Sequence, residues 1–276
     1  MPLDHEMFRN RARAESFGII AAQYDRARPP YPEALIDDLV AREPRDVLDV
    51  GCGTGKAARL LAKRGLSVLG VEIDTGMAEV ARGHGIDVEV APFESWDDAG
   101  RRFDLITSGQ AWHWLDPDAG ARKAAQLLRP GGTLALFWNM SQLDGPLLTA
   151  MAEVYRREAP ELVESARHLG GRHARSDAYV PSLGAAGFSD RVVCDYAWDQ
   201  VYPRDEWVEL LQTYSDHHLL PDEQRTRLLD AVGAAIDDAG GYVGARYETH
   251  AILARSTGRR GSGRRGGRER RSRSEP

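Results

Sequence analysis

Val47–Leu61 reads VLDVGCGTGKAARLL. A short apolar run carrying Asp49 ends at Gly51, and Gly53 and Gly55 follow at alternate positions before a helical stretch opens. Glycines at such a junction allow a tight turn and let a ligand approach the backbone. The helix that begins there points free N–H groups at whatever sits above it. The spacing is G-x-G-x-G, with Lys56 where a nicotinamide fingerprint would place its last glycine. The phosphate-loop pattern G-x-x-x-x-G-K-[ST] is missing too. Taken alone, the loop reads either as a cofactor turn or as a tight strand–helix connection.

The next strand adds weight to the first reading. SVLGVEI ends near Glu72, 21 residues after Gly51. A carboxylate at a second strand's end can accept the two hydroxyls of a ribose. Hydrogen bonds to a charged group contribute roughly 1.5–3 kcal/mol each. The plainer reading of Glu72 is a solvated acid at a strand end.

Outward from this point the chain alternates short apolar runs with helical stretches. IDVEVA, FDLITS and TLALFWN read as three more strands, and DAGARKAAQLLRPGG as a helix closed by a turn. The runs are rich in Val, Leu and Ile and nearly free of internal charge, as strands covered on both faces are. Strand–helix alternation predicts an α/β fold, a doubly wound, mostly parallel Rossmann-like sheet. After Asn139 the rhythm changes. Residues 146–168 and 203–238 look helical, whereas RVVCDYAWDQVY and ARYETHAILARS look like two late strands. We therefore expect seven strands, finished by an antiparallel C-terminal pair, with helical cap insertions over about 144–180 and 203–240. The main domain is expected over 46–255, after an N-terminal lid segment over 1–45 holding one helix and a Pro-rich turn.

The 276 residues suffice for one large α/β domain or two small ones. No apolar run reaches the roughly 18 residues needed to cross a bilayer. The charged start MPLDHEMFRNRARAESF has no signal core, and the two cysteines, Cys52 and Cys194, suit a reducing compartment. A cytoplasmic protein is the expectation. The net charge of −6 is uneven: the tail 256–276 carries eight arginines and two glutamates, about +6, which leaves about −12 on the body. A tail so poor in apolar residues is expected to be disordered. It reads as a solvated extension, or as an Arg/Gly arm for nucleic acid or an acidic surface. An acidic body is a poor nucleic-acid platform.

LDVGCGTG followed by GVEID resembles the class I S-adenosylmethionine-dependent methyltransferases. FDLITSGQAWHW and LLRPGGTLALFWN extend the likeness in order and spacing, and YDRARPPYP upstream resembles a small-molecule branch that includes trans-aconitate methyltransferase-like proteins. The likeness covers roughly residues 17–140 and is only general beyond. It implies S-adenosylmethionine as co-substrate. It further implies that Asp49 and the backbone of Gly51 and Gly53 hold the methionine amine, that Glu72 takes the ribose, and that Ile73 and Met77 pack on the adenine. Phe93 and Glu94 fall where the family meets the adenine edge, although Pro92 stands where an aspartate is common. Ser108 and Gln110 are implied to face the methionine portion. Arg28 can pair with the cofactor carboxylate. The Tyr24 ring can cover the sulfonium, an attraction of roughly 0.5–2 kcal/mol. Tyr24 also reads as a packed hinge aromatic, and Arg28 as a solvated surface charge.

Methyl transfer needs alignment more than acid–base chemistry, and alignment contributes roughly 7–11 kcal/mol. His113, in SGQAWHW just past a strand end, is either a general base or a pocket contact that takes no proton. Tyr24 is the other candidate at the reacting centre. Trp112 and Trp114 read as a pocket wall and a core residue, and not as a stacking platform for nucleic acid. In YSDHHLL, His217 and His218 diverge by about 100° if helical, so no metal site is expected. Tyr179, Trp198, Trp207 and Tyr214 read as pocket lining or core. The expected function is methyl transfer to an oxygen, nitrogen or carbon of a small molecule. Two readings stay beside it: an S-adenosylmethionine-binding cyclase or decarboxylase, and a non-enzymatic binder acting through the Arg-rich tail.

Overall fold

The apolar runs pair into one sheet in the computed structural model, which describes residues 17–143, 145–163 and 176–258. Its strands are β1 (Asp46–Val50), β2 (Ser67–Glu72), β3 (Asp87–Val90), β4 (Phe103–Gly109), β5 (Leu128–Gln142), β6 (Phe188–Pro203) and β7 (Tyr242–Ser256). They lie in the order β3-β2-β1-β4-β5-β7-β6. Pairing is parallel from β3 through β5, and β7 runs antiparallel to both β5 and β6. The expected seven-stranded Rossmann-like sheet with an antiparallel C-terminal pair is therefore what forms. The last strand in sequence is an inner one, and β6 takes the edge.

Strand order reverses between β1 and β4, and in open α/β sheets ligands bind outside the strands' carboxyl ends at such a switch. Two helices shape this region. α1 (Ala21–Ala27) precedes the sheet, and α2 (Glu33–Val40) follows the Pro-rich turn. The described part of the N-terminal segment, from residue 17, therefore holds two α-helices where one was expected. Leu35, Ile36 and Leu39 are wholly buried and pack with Val47, Leu105 and Phe137, so α2 covers the sheet and is part of the main core. The EALIDDLV pattern carries that apolar face. α3 (Lys56–Ala62) and α4 (Thr75–Gly83) follow β1 and β2. α5 (Pro117–Leu127), capped by Asp116, covers the opposite face with Leu48, Ile106 and Leu136.

α6 (Gly145–Glu158), α8 (Arg204–Gln212) and α9 (Asp222–Asp238) form the cap, with α7 (Val180–Ala185) leading into β6. The cap has its own core around Met151, Trp207, Leu210, Leu228 and Val232. Of the segment predicted as tail, Ser256 ends β7 and is buried, and Thr257 hydrogen-bonds through N and Oγ1 to the Gly187 carbonyl. Ser256 and Thr257 thus belong to the fold and not to the predicted tail, because they complete pairing that composition alone does not reveal. The Arg-rich remainder lies outside the described residues.

Candidate active site

The glycine loop turns as its sequence demands. Gly51, Gly53 and Gly55 have φ of 62°, 55° and 81°, the left-handed region that side chains avoid. Gly51 and Gly53 border a cleft above the β1, β2 and β4 ends. A Cβ on Gly51 would come 2.5 Å from the Ala111 Cβ, another cleft residue. Gly55 does not border the cleft. Its α-carbon packs where a Cβ would lie 3.3 Å from the Ala81 Cβ, so it serves the approach of α3 to α4.

Glu72 is buried at the end of β2. Its Oε2 accepts from the Gly53 N–H at 2.7 Å, and Oε1 from those of Ile73 and Asp74 at 2.9 and 3.0 Å. With about two acceptor sites on each oxygen, Oε2 is the one with room for a ligand hydroxyl. Burial pushes its pKa up, against the pull of these three N–H groups. Asp49, also buried, accepts from the Thr107 hydroxyl at 2.7 Å. Burial and the nearby Glu72 charge raise its pKa to about 7, though the Thr107 bond lowers it. Two buried carboxylates side by side present an electronegative floor that favours a cation.

Ile73, Met77, Phe93 and Glu94 line the cleft. Glu94 accepts the Asp116 N–H at 3.2 Å through Oε1. Tyr24, Arg28, Gln110, His113 and Trp114 line the cleft as well. Arg28 lies 4.4 Å from the Tyr214 ring centroid and 5.0 Å from that of Tyr24, and donates to the Thr213 carbonyl at 2.9 Å. Gln110 sits at φ 56° and donates from Nε2 to the Asn139 carbonyl at 2.8 Å. His113 rides a short turn, Trp112–Trp114, directly after β4. Its Nδ1 accepts the Trp138 indole N–H at 3.3 Å.

Ser108 does not reach the cleft. It is fully buried within β4, and its hydroxyl donates to the Val50 carbonyl at 3.0 Å. Strand alternation sends Ser108 and its neighbours to opposite faces, so the expectation that it faces the methionine portion fails. Trp112 is a core residue and Trp114 borders the cleft, the reverse of the expected assignment, because the turn after β4 buries the first indole; none of Tyr179, Trp198, Trp207 and Tyr214 borders the cleft. His217 is buried, with Nδ1 2.8 Å from Asp216 and Nε2 2.7 Å from the Tyr155 hydroxyl, which ties the cap together. Among the described residues no cluster could hold a metal ion.

Sequence reasoning missed Tyr31, Lys56 and Ser215, all of which line the cleft. Lys56 donates to the Asp25 carbonyl at 2.6 Å, and burial brings its pKa down to about 8 despite the Asp25 charge. Its place beside Gly55 was the available signal. Ser215 comes from the cap, and nothing local marks it. Asp74 was also missed: it caps α4 at Met77 and accepts the Gly18 N–H at 2.8 Å.

Comparison with known proteins agrees with this geometry. Residues 48–136 match the Methyltransferase domain family. A trans-aconitate 2-methyltransferase of Mycolicibacterium gilvum is 30% identical over 231 residues, 76% of this chain and 86% of that one. An uncharacterised methyltransferase of Mycobacterium tuberculosis is 39% identical over 127 residues, 45% of this chain. The matched part spans about half, 52%, of that relative's length. A provisionally named type II methyltransferase structure from Anaeromyxobacter dehalogenans superposes with a TM-score of 0.58 at 23% identity, over 83% of this chain and 97% of that one. The chain belongs to the S-adenosylmethionine-dependent methyltransferases.

Proposed function

We propose that this protein transfers the methyl group of S-adenosylmethionine to an oxygen, nitrogen or carbon of a small molecule in the cytoplasm. The carrying observation is the buried Glu72 carboxylate, held by three backbone N–H groups beside the Gly51–Gly53 turn and Asp49. That donor set fits the ligand: one carboxylate for ribose hydroxyls, another for an amine, and a turn without side chains between them. The bound sulfonium supplies an already activated methyl carbon. The acceptor's electron pair forms the new bond as the carbon–sulfur bond breaks, and the released pair stays on sulfur in S-adenosylhomocysteine.

The chain's own residues align and enclose. Asp49 holds the cofactor's amine, and Ile73, Met77 and Phe93 flank the adenine. Glu94 and the Phe93 amide meet its edge. Arg28 takes the cofactor carboxylate with guanidinium N–H groups not committed to Thr213. Tyr24 covers the sulfonium. Gln110 and His113 border the acceptor side. The acidic body argues for a small acceptor rather than a nucleic acid. No described helix is long and apolar enough to cross a membrane, and both cysteines are free thiols, which suits the proposed compartment.

Glu72→Ala is expected to weaken S-adenosylmethionine binding about 10- to 100-fold, the worth of a hydrogen bond to a charged group. Calorimetric titration reads this directly, and undiminished affinity would sink the assignment. A screen of small acids, amines and enols for S-adenosylhomocysteine formation tests the transfer itself.

A further inference from the structure

The nitrogen by which His113 is held decides what chemistry it can do. An indole N–H donates and cannot accept. The Trp138 Nε1–H reaches His113 Nδ1 at 3.3 Å, so the neutral imidazole keeps that nitrogen unprotonated and carries its hydrogen on Nε2. Strand register puts this donor in place. β4 and β5 pair Gly109 with Phe137, so Trp138 stands beside the exit of β4, where the turn bearing His113 begins. Phe137 points to the other face, edge-on to Tyr31 at 4.7 Å. Trp138 is itself fixed by a near-parallel stack on Tyr179, with centroids 5.6 Å apart and planes 6° apart. Tyr179 is buried, so the indole has a rigid backing.

We propose that Trp138 is a positioning residue that locks His113 in the Nε2–H tautomer, making His113 a hydrogen-bond donor to the methyl acceptor and not a base. This deepens the methyltransferase reading and rests on it for the acceptor. A histidine whose Nδ1 accepts from an indole and whose Nε2 bears hydrogen has no lone pair with which to take the acceptor's proton. It can instead donate Nε2–H to an acceptor oxygen, orienting its electron pair along the methyl–sulfur axis. The residues then suit acceptors that arrive already ionised or that lose their proton elsewhere, and the transfer needs no proton moved at His113.

The test uses the full-length protein labelled with ¹⁵N-histidine, with His113→Asn identifying the His113 signals. Long-range proton–nitrogen correlation at pH 8 reads the tautomer in the wild-type protein without any variant at Trp138. Nε2 protonated and Nδ1 unprotonated is the expected result, and the reverse tautomer, or an even mixture, overturns the proposal. Trp138→Phe leaves an aromatic ring against Tyr179 and removes the N–H donor. It is expected to mix the tautomers and lower kcat roughly tenfold, with S-adenosylmethionine affinity within about twofold. An unchanged tautomer in a folded Trp138→Phe overturns it as well. Failure of the wild-type protein to bind S-adenosylmethionine would instead defeat the functional reading, and would leave the tautomer result standing on its own.

Discussion

Under the proposed function, Asp49 is the residue through which pH reaches ligand binding. Burial and the Glu72 charge raise its pKa to about 7, against 3.8 for an ordinary aspartate. Between those values the folded protein holds a proton that the unfolded chain releases. Stability of the ligand-free protein therefore declines as pH rises through this window and levels off above about 7. A cation over the carboxylate favours the ionised form, so affinity for S-adenosylmethionine should rise with pH up to about 7, by at most about tenfold per pH unit. Titrations at pH 6 and 8 check this. Asp49→Asn should bind more weakly and flatten the dependence. Equal wild-type affinity at both values would show that Asp49 does not meet the cation.

At the scale of elements, α1 is a strap between the sheet domain and the cap. Asp25 accepts from Arg59 Nη2 at 2.7 Å and pairs with His84 Nε2 at 2.9 Å, holding α1 to α3 and to the end of α4. On the other side Arg26 pairs with Glu209, and Gln23 donates to Gln212, both on α8. Tyr24 and Arg28 enter the cleft from this strap. Burial pushes the Asp25 pKa up, but the His84 bond and the Arg59 and Lys56 charges outweigh it and hold it below the usual carboxylate range. The latch therefore stabilises the fold at neutral pH, and this contribution is lost only as pH falls below about 4. Asp25→Ala should cost about 1–2 kcal/mol. It should also raise the KM for S-adenosylmethionine several-fold and speed amide exchange across 21–27, with exchange in β1 and β4 unchanged. Equal protection of α1 in the variant would show that the strap is held from the cap side alone.

For the whole molecule, the sheet and the cap bring separate cores to one cleft. Ser215, which lines it, is set by the Asp216–His217–Tyr155 ties within the cap. The described fold, ending at Gly258, carries every residue assigned to the cleft. Truncation after Gly258 should therefore leave the melting temperature within about 2 °C and S-adenosylmethionine affinity unchanged. Cutting further back, so that Arg255 is lost, should lower the melting temperature, since that residue pairs β7 with both Thr133 of β5 and Ser189 of β6. A loss of affinity in the Gly258 truncation would return the Arg-rich tail to the binding machinery.

The sequence alone determined the strand–helix rhythm, the turn at Gly51–Gly55 and the acid at the end of β2. Those features depend on local periodicity, on backbone angles that only glycine adopts cheaply, and on spacing along one chain. Only the tertiary structure decided which neighbours of those signals face the ligand. Ser108 lost its place in the cleft because alternation within β4 turns it into the core, and Gly55 because α4 packs against it. Lys56, Tyr31 and Ser215 gained theirs because the strap, the turn and the cap converge on one opening. Trp138, which hydrogen-bonds to His113, lies 25 positions away and is brought near by the β4–β5 register. Such pairings are properties of register and packing, and no local pattern in the chain encodes them.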